Sequence, residues 1–128
     1  MNRSAARMSL LAVALALGAG AATAAELQAT VPPRFQGEWA ASLKQCGTGD
    51  ESRLTIEPAH IRFYESRGAI KAVVTQGDSE LALIAELSGE GETWLALRHF
   101  RLAADQKTLT DVTGEPELVR YRCPKAAK

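Results

Sequence analysis

The chain has 128 residues, of which 46% are hydrophobic and 23% are charged, and its 15 basic side chains balance its 15 acidic ones. This length favours a single domain and excludes a multi-domain enzyme. The neutral balance lacks the basic surface of a nucleic-acid-binding protein, and the apolar fraction excludes a highly charged disordered chain. We therefore expect no nucleic-acid partner.

The first residues have the pattern of a secretory signal peptide. Arg3 and Arg7 form a positively charged start, Leu10–Leu17 is a short apolar run, and Ala22–Ala24 reads Ala-Thr-Ala. The run is too short to span a hydrocarbon core of about 30 Å, and Ala-x-Ala is a typical cleavage site. We predict that residues 1–24 are removed, that the mature protein has no membrane anchor, and that it is periplasmic or secreted. An uncleaved anchor is the alternative.

Cysteine usage agrees with export. Cys46 and Cys123 are the only two cysteines, and both lie beyond the predicted leader. An even number in an exported chain favours a disulfide bond. Zinc is a poor alternative, because there is no Cys-x-x-Cys pair and both histidines lie far from the cysteines in sequence. We predict a Cys46–Cys123 disulfide and no metal or other cofactor.

Beyond the leader, short apolar segments alternate with turn residues. Residues 25–34 contain Pro32 and Pro33, which favour an extended lead-in. From residue 35 onward, about eight segments alternate apolar and polar side chains at spacings of about 8–12 residues. The segments are Phe35–Leu43, Leu54–Glu57, Ile61–Phe63, Ile70–Val74, Leu81–Leu87, Thr93–Ala103, Leu109–Val112 and Leu118–Cys123. We predict an all-β fold, a small antiparallel up-and-down β-barrel over residues 35–124, with residues 125–128 as a flexible tail.

Turn residues and one possible helix add detail to this strand pattern. Clusters of turn-forming residues separate the segments, and Arg67-Gly68 and Gln76–Ser79 are predicted turns of this kind. The segment Glu38–Cys46 has a helical alternative, because Phe35, Trp39, Leu43 and Cys46 would also share one helical face. A strand followed by a turn is favoured there.

One motif carries a family resemblance. Gly37-x-Trp39, at the start of the first barrel segment, resembles the opening of calycin-type barrels, the group of lipocalins, fatty-acid-binding proteins and avidins. In lipocalins the tryptophan closes one end of the barrel, and an arginine from near the C-terminal end packs over its ring. The resemblance implies that Trp39 is a barrel plug and that Arg120 or Arg122 covers it, a cation–π contact of about 0.5–2 kcal/mol. In outline, the chain also resembles small exported bacterial barrels, including uncharacterised periplasmic proteins and inhibitors of proteases or lysozymes.

Few side chains suit catalysis. His60 and His99 are the only histidines, and no Gly-x-Ser-x-Gly elbow is present. Apolar residues occupy both faces around Arg98 and His99, which predicts a change of face with one of the two pointing inward. Glu65 shares the face of the preceding apolar residues and is predicted to point toward the core, unless the strand ends before it; in the core an arginine must compensate its charge. Glu65, Arg98 and His99 therefore form a candidate interior polar site.

These features predict an exported, non-enzymatic, monomeric β-barrel that binds a small ligand or a protein partner. Ligand binding requires an inner cavity of about 300 Å³ or more. The alternative function is inhibition of a periplasmic hydrolase, a protease or a lysozyme, through a rim loop. The candidate loops are Gly47–Ser52 and Gly114–Glu117, which lie near the cysteines and a proline.

Overall fold

A computed structural model describes residues 23–125. Nearly all of the predicted signal peptide and the last three residues of the predicted tail lie outside this range. Within it, no helix is long and apolar enough to cross a membrane. The fold of the described part is all-β, as the alternating sequence pattern predicts.

The described part of the chain contains nine strands, and eight of them close into an antiparallel barrel. The strands are β1 (Ala25–Gln28), β2 (Gly37–Ala40), β3 (Leu54–Ile56), β4 (His60–Arg62), β5 (Arg67–Gln76), β6 (Glu80–Gly89), β7 (Glu92–Leu102), β8 (Thr108–Asp111) and β9 (Leu118–Arg122). From β2 to β9 each strand pairs with the next, and β9 pairs with β2. The up-and-down barrel predicted from the sequence is therefore confirmed.

The extra strand β1 lies in the segment predicted as an extended lead-in. It pairs antiparallel with β5, from Ala25 opposite Gln76 to Gln28 opposite Val73. β4 pairs with the first residues of β5 along the same edge. The two short strands thus occupy successive stretches of one long strand, which covers backbone groups that would otherwise be unpaired.

Single 3-10 turns replace the helical alternative considered for the first barrel segment. One covers Pro33–Phe35 before β2, and the other covers Leu43–Gln45 after it. Strand followed by turn is therefore the correct interpretation of this segment. Another sequence prediction is wrong, because Arg67 and Gly68 begin β5 and the turn lies just before them, at residues 63–66.

The inward faces of the strands form one packed core. Along β6, for example, the odd-numbered residues from Leu81 to Leu87 are buried and the intervening ones are not. The core cluster comprises Val31, Phe35, Trp39, Leu54, Ile56, Ile61, Val73, Leu81, Leu83, Ala85, Leu87, Phe100, Leu102 and Leu109. Burial of these side chains is the main favourable contribution to folding.

The two ends of the barrel differ. At the closed end, residues 31–36 lie across the barrel, and the Val31 N–H donates to the Pro58 carbonyl in the loop between β3 and β4. Val31 and Phe35 are fully buried there. At the open end, the loops that follow β2, β4, β6 and β8 surround the mouth of the barrel.

Trp39 lies fully buried beside the closed end, with 0% of its surface exposed. Its Nε1–H donates to the Phe35 carbonyl at 3.1 Å, and the Arg122 guanidinium lies 4.2 Å from the ring centroid. Arg122 also donates to the carbonyl oxygens of Gln36 and Gln106, at 2.8 and 2.9 Å. Gly37 has a φ of 123°, which L side chains rarely adopt, and this requires glycine at the first position of the Gly-x-Trp motif.

Arg120 does not belong to this plug. Consecutive strand residues point to opposite faces, but Arg120 and Arg122 are two apart and share the inward face. The rise along the strand therefore places Arg120 nearer the open end, where its Nε–H donates to the Ser52 carbonyl at 2.7 Å. Of the two arginines expected to cover Trp39, Arg122 is the one that does so.

The predicted disulfide is confirmed. Cys46 and Cys123 are bonded, with their Cα atoms 5.6 Å apart. β2 and β9 run antiparallel, so a straight continuation of β2 would carry Cys46 away from Cys123. The chain instead folds back along the outer wall after β2, and the Gly47 N–H donates to the Glu38 carboxylate of β2 at 3.0 Å.

A close approach of two strands makes Gly68 the most restricted glycine of the barrel. A Cβ atom at this position would lie 1.7 Å from the Glu86 carbonyl oxygen of β6. We expect Gly68→Ala to lower the free energy of unfolding by about 1–3 kcal/mol, as overpacking does elsewhere. Gly49→Ala, where a Cβ meets no atom within 4 Å, is the matched control. Urea unfolding of both variants measures the difference, and equal stabilities would contradict this strand packing.

Candidate functional site

The structure does not assemble the interior polar site predicted from the sequence. Glu65 is exposed, and the prediction that it faces the core is wrong. β4 ends at Arg62, and the Phe63 N–H donates to the Ser66 carbonyl at 2.7 Å. The alternation that would have turned Glu65 inward therefore stops before it reaches that residue.

His99 also lies outside the barrel, so its assignment to an interior site is wrong. The pairing of β7 with β6 is regular from Glu92 to Arg101, and no change of face occurs. His99 and Arg101 both contact the Glu80 carboxylate on the outer wall. Burial alone would raise the pKa of Glu80, but the hydrogen bonds and charges of these two partners outweigh burial and lower it. This trio is a surface ion-pair network.

Arg98 is the member of the predicted set that points inward. Its guanidinium lies 4.9 Å from the Phe63 ring centroid, and its buried Nε has no hydrogen-bond partner in the described residues. Arg120 is also buried, and its Nη1 lies 3.7 Å from Asp111 Oδ2. Burial lowers the pKa of Arg120; the Asp111 charge opposes this shift and the Arg98 charge adds to it. The interior near the open end thus holds two guanidinium groups and one carboxylate.

A different set of side chains forms the candidate functional site, on the outer wall near the open end. The strand register aligns one outward-facing residue from each of several neighbouring strands. Thr55 lies opposite Arg62, Arg62 opposite Arg67, and Arg67 opposite Ser88. Their side chains point outward because the adjacent core residues, such as Ile61, point inward. The result is a polar row with two arginines side by side at its centre.

This row borders a depression of about 620 Å³, which we call the arginine groove. Its charged lining consists of Arg53, Arg62, Arg67, Glu57 and the titratable His60. The Thr55 hydroxyl and the Arg53 Nε are buried there without hydrogen-bond partners in the described residues. Three guanidinium groups against one carboxylate give the groove an excess of positive charge.

The arginines of the groove differ in how they are held. Arg53 Nε lies 3.5 Å from the Glu38 carboxylate, which also accepts the Gly47 N–H from the disulfide-bonded loop. Arg62 and Arg67 are exposed, and no carboxylate in residues 23–125 forms an ion pair with either. Like charges directly opposite each other on antiparallel strands are destabilising. These two side chains are therefore free to bind an anion from solution.

A second depression of about 690 Å³ continues from the first one toward the rim. It shares Arg62, Arg67 and Ser88 with the arginine groove and adds the carboxylates of Glu65 and Glu92. Its fixed charges balance, so it has no preference for anions. It extends the groove with further space lined by both charges.

Sequence reasoning overlooked Arg62 and Arg67, although a signal was available. They flank four residues, 63–66, between two alternating segments. In a hairpin the loop length fixes the register, and a four-residue loop brings the two flanking residues opposite each other. The misplaced turn at Arg67-Gly68 concealed this pairing.

The two rim loops considered for inhibition have different environments. The segment 47–52 is held against the wall, because Gln45 and Ser52 both donate to the Asp50 carboxylate. The hydrogen bonds from Ser52 lower the pKa of Asp50, and its hydroxyl contributes most. Residues 114–117 are all exposed at the open end. Residues 47–49 and Glu51 of the first loop are exposed as well, so exposure alone does not distinguish the two loops.

Comparisons with known proteins do not extend these observations. No protein-family model, no curated protein and no solved structure matches the chain. Within residues 23–125, no group of three or more His, Cys, Asp or Glu side chains could hold a metal ion.

Proposed function

We propose that this protein is an exported, non-enzymatic binding protein whose arginine groove receives an anionic group of its ligand. The observation that carries the proposal is the pairing of Arg62 with Arg67 across two strands, with neither side chain in an ion pair to any residue of the described range 23–125. The predicted leader and the disulfide support export, because disulfides persist in oxidising compartments.

An anion placed between the two guanidinium groups would relieve their mutual repulsion. Each guanidinium presents a planar fork of N–H donors that fits a carboxylate, phosphate or sulfate group. Within residues 23–125, Thr55 supplies a hydroxyl without a hydrogen-bond partner beside the pair, whereas the charge of Arg53 is offset by Glu38. The groove therefore suits a compact group with one or two negative charges, rather than a polyanion such as nucleic acid.

The ordering of the groove supports selective binding. Glu38 fixes Arg53 and is itself fixed by the Gly47 N–H, so the disulfide-bonded loop holds this wall of the groove. Arg62 and Arg67 project from paired strands, whose backbones are more rigid than loops. Because the backbone and Arg53 are already held, binding has to order only the side chains of Arg62 and Arg67.

The test measures anion binding to the full mature protein. Inorganic phosphate, sulfate and succinate are titrated while amide chemical shifts are followed by NMR. We expect shifts centred on β4 and β5, and a loss of affinity of about ten- to a hundredfold in Arg62→Gln and in Arg67→Gln, because a hydrogen bond to a charged group contributes about 1.5–3 kcal/mol. Lys71→Gln removes the same charge from an exposed position of β5 outside the groove lining and should bind normally.

Stability provides an independent readout of the same site. Without added anion, Arg62→Gln should leave the free energy of unfolding unchanged or raise it slightly, because it removes a like-charge pair. With anion present, only the protein that retains both arginines should gain thermal stability, since ligands stabilise the state they bind. Equal anion affinity in the wild-type protein and the double glutamine variant would refute the proposed function.

Inhibition of a periplasmic hydrolase is the second candidate function, and the exposure of residues 113–117 at the open end favours it. The loop is anchored at its base, where the Thr113 N–H donates to the Asp111 carboxylate at 3.0 Å. Replacing residues 114–117 by Gly and Ser should abolish inhibition of a target hydrolase. It should leave anion binding intact, which separates this candidate from the first.

A further inference from the structure

One edge of β7 lacks a partner along most of its length. β7 pairs with β6 from Glu92 to Arg101, but β8 pairs only with its last residues, Phe100–Leu102. Beyond β8, the Val112 N–H donates to the His99 carbonyl and the Thr113 hydroxyl accepts from the His99 N–H. No pairing in residues 23–125 reaches this edge between Glu92 and Arg98.

The backbone groups at this edge can be assigned from the pleat. His99 directs its N–H and C=O toward the β8 side, and backbone direction alternates along an antiparallel strand. Thr93, Leu95 and Leu97 therefore direct their N–H and C=O groups toward the free edge. None of the three makes a backbone hydrogen bond on that side within the described residues.

The side chains along this edge are unusually apolar for an exposed strand. Leu95 is 69% exposed and Leu97 is 62% exposed on the outer face, and Trp94 is 40% exposed at the mouth. Ile84 of β6 lies beside Leu97 and is also exposed. Natural proteins protect edge strands with charges, bulges or covering segments, and an apolar unprotected edge is a template for pairing with another strand.

We propose that a second copy of this chain pairs with the edge, antiparallel to β7 about a twofold axis at Leu95. This register places Leu95 opposite its own copy, Thr93 opposite Leu97, Trp94 opposite Ala96, and Glu92 opposite Arg98. Because Leu95 directs both of its backbone groups toward the free edge, Leu95 and its copy form a hydrogen-bonded pair about this axis. The two barrels share one sheet, in the order β6, β7, β7, β6.

The segment 92–98 is complementary to itself, which points to a second copy rather than an unrelated peptide. Glu92 lies opposite Arg98 at both ends of the pairing, so opposite charges meet there. On the inner face, the large side chain of Trp94 lies opposite the small side chain of Ala96. Arg98 carries a buried Nε that has no hydrogen-bond partner within residues 23–125. In the dimer, the Glu92 carboxylate of the other copy lies opposite Arg98 on the inward face of β7. There it adjoins a barrel interior that holds two guanidinium groups and one carboxylate. The proposed dimer differs from the monomer expected from the sequence, and the oligomeric state decides between them.

The first experiment measures mass in solution. Light scattering during gel filtration of the mature wild-type protein should give twice the mass of one chain. Leu95→Glu places two carboxylates against each other at the axis and should halve the observed mass. Leu27→Glu changes a leucine of β1 that is 80% exposed and lies away from this edge, and it should remain dimeric. Far-UV circular dichroism confirms that both variants are folded.

The second experiment tests the register. Leu95→Cys should cross-link to its own copy with a short thiol-reactive reagent, since residues paired at a hydrogen-bonded site have Cα atoms about 5.5 Å apart. Leu97→Cys alone should not, because its two copies are four residues apart along the paired strands. A mixture of Thr93→Cys and Leu97→Cys proteins should form mixed dimers.

Each alternative result overturns the proposal. A wild-type protein that stays monomeric up to millimolar concentration excludes the pairing, even if the edge then accepts an extended peptide from another protein. A dimer that persists in Leu95→Glu, or that cross-links through Leu97→Cys alone, uses a different surface or register. Anion binding at Arg62 and Arg67 is unaffected by either outcome.

Discussion

Replacement of Trp39 by alanine should lower the free energy of unfolding by about 3–5 kcal/mol, the usual cost of truncating a buried aromatic side chain. Trp39 is the largest fully buried side chain of the core. The substitution leaves a cavity and removes the N–H that bonds the Phe35 carbonyl. It also removes the ring beneath the Arg122 guanidinium, whose pKa burial already lowers. Denaturant unfolding followed by far-UV circular dichroism measures the loss.

The other tryptophan is the matched control. Trp94 lies on the inward face of β7 at the mouth and is 40% exposed, so its truncation leaves no enclosed cavity. Trp94→Ala should cost less than half as much as Trp39→Ala. Arg122→Met tests the contribution of the arginine over Trp39 separately. Methionine keeps an apolar side chain but lacks the guanidinium that bonds the carbonyl oxygens of Gln36 and Gln106. Equal losses at the two tryptophans would contradict the role of Trp39 as plug.

The barrel geometry agrees with the calycin resemblance as far as architecture is concerned. Eight antiparallel strands close in up-and-down order, and an arginine near the end of the last strand lies over the tryptophan of the Gly-x-Trp motif. Both features follow from a small barrel that must cover one end with few residues. Because unrelated proteins can share a fold, this agreement supports no statement about a shared ligand.

The sequence predicted those features that depend on local alternation or on composition. Strands such as β6 were visible because apolar and polar side chains alternate over ten residues. The disulfide followed because Cys46 and Cys123 are the only cysteines of the chain. β1 was missed because Ala25–Gln28 alternates over only four residues and buries neither face, and its strand pairing depends on β5.

The errors at the candidate site concern the direction in which side chains point. This direction depends on where a strand ends and on which distant segment pairs with it. Glu65 would face inward if β4 continued, but β4 ends at Arg62, and alternation alone does not mark that boundary. The apolar side chains on both faces of β7 were interpreted as a change of face. They instead mark an outer face on which Leu95 and Leu97 remain exposed. Whether such a face is covered depends on a partner, which local sequence patterns do not specify.

Removal of the disulfide should have an effect of similar size to that of Trp39→Ala. Cys46 and Cys123 are 77 residues apart in sequence. In the chain-entropy treatment, a closed loop of this size stabilises the folded state by about 4.5 kcal/mol, an upper figure because it assumes no strain. Cys46→Ser/Cys123→Ser should therefore unfold at markedly lower urea concentration, while retaining the strand content of the folded protein.

The same variant tests the path of the loop after β2. Without the bond, the segment from Cys46 to Asp50 is held only by contacts such as the one between the Gly47 N–H and Glu38. We expect faster amide exchange at Gly47 but unchanged protection along β6, since β6 lies within the core sheet. The reduced wild-type protein should behave in the same way. If the serine variant is as stable as the oxidised protein, the fold-back is held by the Glu38 contacts and the disulfide contributes little to stability.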